Sequence, residues 1–189
     1  MSRSYRIAIR ETLRRVMRAH DRVSTQLEIL EVLPSEQMSE LLAQELEKRG
    51  YQRQGEDLTR ERDGVKVTVD PKNGSVTVSS ESSAEVDLKQ EKEGRAWDDV
   101  GPSANSVRAQ LREQARADLE KQAERKAGEL QSEVTDRLEQ QLGDVRRELD
   151  QAVNRVTAEA LKLKAAQMGQ IKEMTEDEQT GSLTIVVEV

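Results

Sequence analysis

Hydrophobic positions along the chain follow two different periods. Between residues 57 and 88 they alternate: Val65, Val67 and Val69 are separated by Lys66 and Thr68, Val76 and Val78 follow, and Ala84, Val86 and Leu88 continue the pattern. A period of two places alternate side chains on one face, as in half-buried strands. Asp63-Gly64 is a two-residue turn suited to positive φ, and Asp70 to Gly74 (DPKNG) makes a second tight turn. The prediction is an antiparallel meander with one apolar face, with Ala84, Val86 and Leu88 on a fourth strand.

Upstream, PSEQMSELLAQELEKRGY carries helix signals at both ends. Ser35 is the expected N-cap, Met38 to Leu46 supply an apolar stripe, and Lys48-Arg49 and Gly50 mark the C-terminus. This helix should lie across the apolar face of the meander. The stretch before it fits two periods. Read as strand, Tyr5, Ile7, Ile9, Leu13 and Met17 share a face, with Arg6, Arg10, Arg14 and Arg18 opposite. Read as helix, Ile9, Leu13, Val16 and Met17 cluster. We favour a β-hairpin that turns at His20-Asp21 and returns through residues 23–30, with the helix as the competing reading.

From residue 104 the period lengthens. The stripe runs through Val107, Leu111, Leu119, Leu130, Val134, Leu138, Leu142, Val145, Leu149, Val153, Val156 and Leu163, with alanines between them. From Leu119 to Leu163 it takes twelve steps over 44 residues, a mean of 3.67. That is an 11-residue repeat, which predicts a straight or slightly right-handed course. The other faces are Glu, Gln, Arg, Lys and Asp, so such a helix needs a partner along its length. Ser103 or Asn105 can cap its start. As one helix, residues 104–172 would span roughly 100 Å. As a hairpin, they would bend at Gly128 or Gly143, although the stripe keeps its phase across Gly143.

The closing TGSLTIVVEV bears on that choice. Leu183, Ile185, Val187 and Val189 alternate as on a strand. If this strand joins the N-terminal sheet of its own chain, the helical region must fold back. If the helix is unbroken, a second copy is the expected host. The expected organisation is an α+β protein. It has a sheet domain over 1–88, a linker over 89–103, a long helix or helical hairpin over 104–174, and a strand over 181–189 pairing with the sheet of its own or a partner chain.

Composition sharpens this picture. Only 34% of the 189 residues are hydrophobic and 35% are charged, with Tyr5, Tyr51 and Trp97 the aromatics. That suits a small core carrying a charged extension better than a large globule. The net charge of −7 disfavours generic nucleic-acid binding. Residues 1–22 reverse the balance, with seven Arg against Glu11 and Asp21. No leader-like apolar stretch and no run near the ~20 residues of a membrane span is present, so a soluble cytoplasmic protein is the default expectation.

Catalytic patterns are missing. With no Cys and with His20 as the one His, Cys/His zinc sites are excluded and no plausible Ser-His-Asp relay is left. No phosphate-binding glycine loop occurs. No metal and no cofactor is expected. Asp98-Asp99 and Glu176-Asp177-Glu178 read as solvated charge rather than a cation site. Arg6, Arg10, Arg14 and Arg18 form either a solvated, acid-paired face or a docking surface for an acidic partner. Nucleic acid is the weaker reading, because aromatics for stacking are lacking. Trp97 reads as a plug over the sheet, or more sharply as a binding hot spot. An Ala-rich stripe without aromatics favours helix packing over a lipid surface. The favoured partners are therefore proteins or a second copy, through the helical arm, with a membrane- or nucleic-acid-surface binder using the Arg row as the alternative.

At SYRIAIRE, LEKRGY, DGVKVTVDPKNGSVTV and the closing TGSLTIVVEV, the chain resembles the X-domain accessory proteins of bacterial ternary systems. These accompany MoxR-type or FtsH-type AAA+ ATPases and von Willebrand A proteins. The shared texture is a helix ending in Gly-Tyr, a short meander, a charged helical region and a terminal apolar strand. It covers about half the chain, and no active-site residue is carried over. The resemblance implies a non-enzymatic adaptor of an ATPase-based remodelling or conflict system.

Overall fold

The computed structural model describes residues 4–97, 102–177 and 182–188. In order, the elements are β1 (Ser4–Gln26), α1 (Ser35–Lys48), β2 (Gln52–Gln54), β3 (Asp57–Arg62), β4 (Val65–Asp70), β5 (Ser75–Trp97), α2 (Ala104–Met168), β6 (Gln170–Asp177) and β7 (Ser182–Glu188). One sheet has the order β1-β5-β4-β3-β2, and β6 and β7 form a second sheet by themselves. The fold is α+β, as the two periods predict.

The chain divides into two compact units. The first comprises Met1–His20 and Glu81–Thr135, the second Asp21–Ser80 and Asp136–Val189.

In the second unit, the expected antiparallel meander forms, with Val67 opposite Val78 and Val69 opposite Val76 on β4 and β5. Asp63 and Gly64 both adopt positive φ, 52° and 74°, which a two-residue hairpin turn matching the strand twist requires. Helix α1 closes as predicted at its C-terminus. The Tyr51 amide donates to the Leu46 carbonyl and the Gly50 amide to Glu47, the paired bonds of a Schellman end. Its N-terminus differs from expectation. Ser35 is already helical, and the Pro34 carbonyl accepts from the Gln37 and Met38 amides. Met38, Leu42 and Leu46 of α1 pack with Val65, Val67, Val69, Val76 and Val78 in one core. Leu138, Val145, Leu149, Ala152, Val156 and Ala160 of α2 complete it.

The first unit is simpler. Residues 4–20 of β1 and 81–97 of β5 make a two-stranded ribbon covered by the first half of α2. Ile7 and Ala96 pack with Val107 and Leu111, and Met17 and Leu88 pack with Leu119 and Ala123. Gly94 sets the closeness of this contact. A Cβ there would lie 3.1 Å from Leu111 Cδ1 and 3.3 Å from Val107 Cγ1.

Four expectations change. Residues 4–26 form one strand, with no turn at His20-Asp21. Neither Gly nor Pro breaks the stretch, and β5, equally 23 residues long, lies beside it. Residues 89–97 belong to β5 rather than to a linker. Helix α2 runs unbroken through Gly128 and Gly143, so the helical hairpin does not form. Its start is as predicted, with the Ser103 hydroxyl accepting from the Ser106 amide at 3.2 Å. Finally, within this chain β7 pairs with β6 and not with the five-stranded sheet. The residues just before it supply a strand of their own, a solution the polar run Gln170 to Asp177 conceals.

Candidate partner-docking surfaces

The alternation along β1 turns Ile7, Ile9, Leu13 and Met17 toward α2 and the Arg row away from it. The Arg row meets a matching row of acids on β5. Arg6 donates to both carboxylate oxygens of Glu93, Nε to Oε2 at 3.1 Å and Nη2 to Oε1 at 2.5 Å. Arg10 Nε donates to Glu91 at 2.5 Å, and Arg14 Nη2 to Asp87 at 3.1 Å. The hydrogen bond and charge of Glu93 raise the Arg6 pKa above its ordinary value. Arg18 is exposed on the same face. The four arginines predicted to act together thus do share one face, three of them in a ladder that is exposed and internally balanced. The acidic half of the ladder lies in a stretch read from the sequence as linker and meander edge. Its signal was the even spacing of Glu85, Asp87, Glu91 and Glu93, two or four residues apart, which is that of a strand face.

The inner face of the ribbon is also polar in places, and α2 answers each polar group. Glu11 lies between Arg112 and Arg116, both at 3.6 Å. Lys92 Nζ meets Asp118 at 2.5 Å and holds its carboxyl below the usual range, and the Gln122 amide donates to Gln90 at 3.2 Å.

The predicted stripe on α2 is largely covered by the chain's own elements. Val107, Leu111, Leu119, Val134, Leu138, Val145, Leu149 and Val156 are buried. Leu130, Leu142 and Val153 are half-buried, and Leu163 is 46% exposed. The partner that such a helix needs along its length is the sheet on which it lies. Trp97, at the end of β5, is 50% exposed. His20 is an exposed β1 residue whose carbonyl accepts from Gln131. Asp98, Asp99 and Glu178 lie outside the described residues.

The second unit holds the most enclosed charge network. Arg60 on β3 makes a two-pronged bond to Glu148 on α2, Nη1 to Oε1 at 2.5 Å and Nη2 to Oε2 at 2.7 Å. Its guanidinium lies 4.5 Å above the Tyr51 ring centroid. The hydrogen bond to Glu148 raises the Arg60 pKa. Among the described residues, the buried Tyr51 hydroxyl has no hydrogen-bond partner. Burial pushes its pKa up to about 12, with Arg60 opposing and Glu148 reinforcing the shift. Beside this network lies a polar depression of about 320 Å³ lined by Gln52, Gln54, Thr59, Arg60, Glu61 and Lys66 among others. Among the described residues, no group of three His, Cys, Asp or Glu is placed to hold a metal.

The β6–β7 hairpin is the surface that the sequence does not reveal. Ile171 opposes Val187 and Met174 opposes Ile185, with a bulge between Ile171 and Glu173. The bulge shifts the phase, so Ile171 and Met174, three apart, share one apolar face with Leu183, Ile185 and Val187. In a regular strand they would lie on opposite faces.

A model of one protein family, described as FtsH ternary system domain X5, matches residues 1–189. No curated protein and no solved structure matches the chain.

Proposed function

The chain belongs to the FtsH ternary system domain X5 family, and from that premise we propose that it is a non-enzymatic adaptor that holds a protein component of such a system. The docking surface is the outer face of the ribbon in the first unit. The observation that carries this reading is the ladder of Arg6, Arg10 and Arg14 against Glu93, Glu91 and Asp87, exposed and balanced in sign. A surface alternating in charge selects partners by complementary pattern and register rather than by bulk attraction. The burial of the α2 stripe supports a spine that rigidifies this surface. It gives no support to self-association of an open arm through the same residues.

Capture of the FtsH-type ATPase or von Willebrand A protein of the same system by tagged chain tests the reading. Binding is expected to be salt-sensitive and to be lost when Arg6, Arg10 and Arg14 are all replaced by Glu. Capture unaffected by the triple reversal would move the docking surface elsewhere. Capture of neither component would overturn the adaptor role. The alternative, a nucleic-acid or lipid surface, is disfavoured because the same arginines face carboxylates of their own chain. Among the described residues no helix is long and apolar enough to cross a membrane. Salt-sensitive co-sedimentation with DNA or anionic vesicles would revive that alternative.

A further inference from the structure

The sheets leave four long strand edges without a strand neighbour among the described residues: the outer edges of β1, β6 and β7, and the edge of β5 over residues 81–97, beyond its pairing with β4. An unpaired edge is a template for another strand. They differ in how they treat that possibility. Edge β1 carries Arg6, Arg10, Arg14, Arg18 and Arg22 at regular intervals. Charges along an edge oppose pairing with a like strand, and pairing β1 with its own copy would bring arginine rows together. Edge β7, SLTIVVE, holds one charge in seven residues, Glu188, whereas β6, QIKEMTED, holds four in eight and residues 81–97 of β5 hold eight in seventeen.

We propose that β7 is the self-association element of the protein, pairing antiparallel with β7 of a second copy about a two-fold axis through Ile185. That register is self-complementary. Ile185 opposes Ile185 of the partner copy, Leu183 opposes Val187, Thr184 opposes Val186, and the one carboxylate, Glu188, opposes Ser182. Nothing charged faces like charge, and Glu188 already has a cation of its own chain in Lys172 at 2.8 Å. The pairing meets a physical need. A lone two-stranded hairpin is marginal in water, whereas three or more strands with an apolar face persist. None of the residues of β6 and β7 whose burial is described is buried, and Met174 is 47% exposed. Joining two hairpins gives the four-stranded order β6-β7-β7-β6. Directly opposed residues share a face, so the apolar residues of both hairpins become one continuous surface. A strand exchange in which β7 joins β1 of the second copy fits less well, since it would set apolar residues beside the Arg row.

The chain has no cysteine, so single-cysteine variants of the full-length protein report the register without background. Opposed residues lie about 4.5–5.5 Å apart at Cα, within disulfide reach. Ile185→Cys is expected to cross-link to itself on mild oxidation. Leu183→Cys alone should not, because the two copies of residue 183 lie four positions apart, roughly 13 Å. A mixture of Leu183→Cys and Val187→Cys should cross-link. Sedimentation equilibrium of the native protein at micromolar concentration should return a dimer. Ile185→Lys and Ile185→Glu should each weaken it about tenfold or more, and their equimolar mixture should restore it, a rescue that misfolding would not allow. A monomer at all concentrations overturns the proposal. So does equal cross-linking at 183 and 185, or cross-linking of Ile185→Cys only to Thr12→Cys on β1, which would assign strand exchange.

Discussion

The two units put the same helix to unequal use. In the second, the last half of α2 joins α1 and strands β3, β4 and β5 in one core of many contributors, with Leu42, Leu46, Leu58 and Leu138 fully buried. In the first, the other half of α2 covers only two strands, and the apolar contacts fall into two small clusters joined by polar pairs. The helix stripe is of one texture throughout. What differs is what lies beneath it. Stability here follows from the breadth of the sheet under the helix rather than from the helix itself.

That difference predicts where the molecule opens. Leu138→Ala removes a fully buried side chain from the larger core and should cost about 3–5 kcal/mol in denaturant unfolding. Leu119→Ala, in the small cluster with Met17, Leu88 and Ala123, should cost about 2–3 kcal/mol, because a thin ribbon relaxes around the vacancy. Amide exchange should show residues 4–20 and 81–97 opening before the meander. Equal protection in both units would break the comparison.

Glu148→Ala comes next. It strands Arg60, whose side chain is 18% exposed, without its two-pronged partner. The pair is enclosed but not sealed, so about 2–3 kcal/mol is the expected loss. The ordinary i,i+3 pairs on the outer face of α2 should show nothing comparable.

Gly94→Val tests the ribbon from the opposite direction. A side chain there enters the space of Leu111 and Val107. The helix must lift or the leucine must shift, at a cost of about 1–3 kcal/mol. The loss should appear in the exchange of the first unit and leave the meander protected.

The contrast between the units also explains what the sequence disclosed. Where the core is broad, the alternation is clean. Val65, Val67, Val69, Val76 and Val78 all face inward, and strands, turns and α1 were legible from them. Where the ribbon is narrow, the inward face of β5 includes Gln90, Lys92 and Gly94. The first two are matched by Gln122 and Asp118 of α2, which lie far along the chain, and the third is needed for close approach. A window of neighbouring residues carries none of that information, so a strand read as a linker. The Arg row was legible as a face, but its acidic partners on β5 were not. At β6 the bulge breaks the period of two, so Ile171 and Met174 carry no strand signal. Membership in an accessory family was readable from texture.

Smaller effects refine the second unit. Tyr51→Phe keeps the ring beneath Arg60 and deletes a buried hydroxyl that has no partner among the described residues. The expected result is a gain of about 1 kcal/mol. The native chain should also respond to alkali. The folded pKa of Tyr51, raised to about 12, exceeds the ordinary value near 10. The folded form therefore holds its proton where the unfolded form releases it. The contribution is intact below pH 10 and is lost as pH rises through about 12. Tyr51→Phe should flatten that part of the profile. A slope unchanged by the substitution would assign the alkaline loss to other groups.

The smallest expected effect bears on the ladder of the first unit. Arg10→Ala breaks an exposed pair with Glu91 in which both side chains are more than half accessible. Water and salt screen such a pair, so stability should change by at most about 0.5 kcal/mol, and less at high ionic strength. A double-mutant cycle with Glu91→Ala isolates the coupling. If that coupling is small while partner capture falls sharply with the Arg6, Arg10 and Arg14 reversal, the ladder is placed for recognition and contributes little to folding. A coupling above about 1 kcal/mol would instead make the ladder part of what holds the narrow ribbon together. The two units would then be closer in kind than their cores imply, one joined by apolar contact and the other by ordered charge.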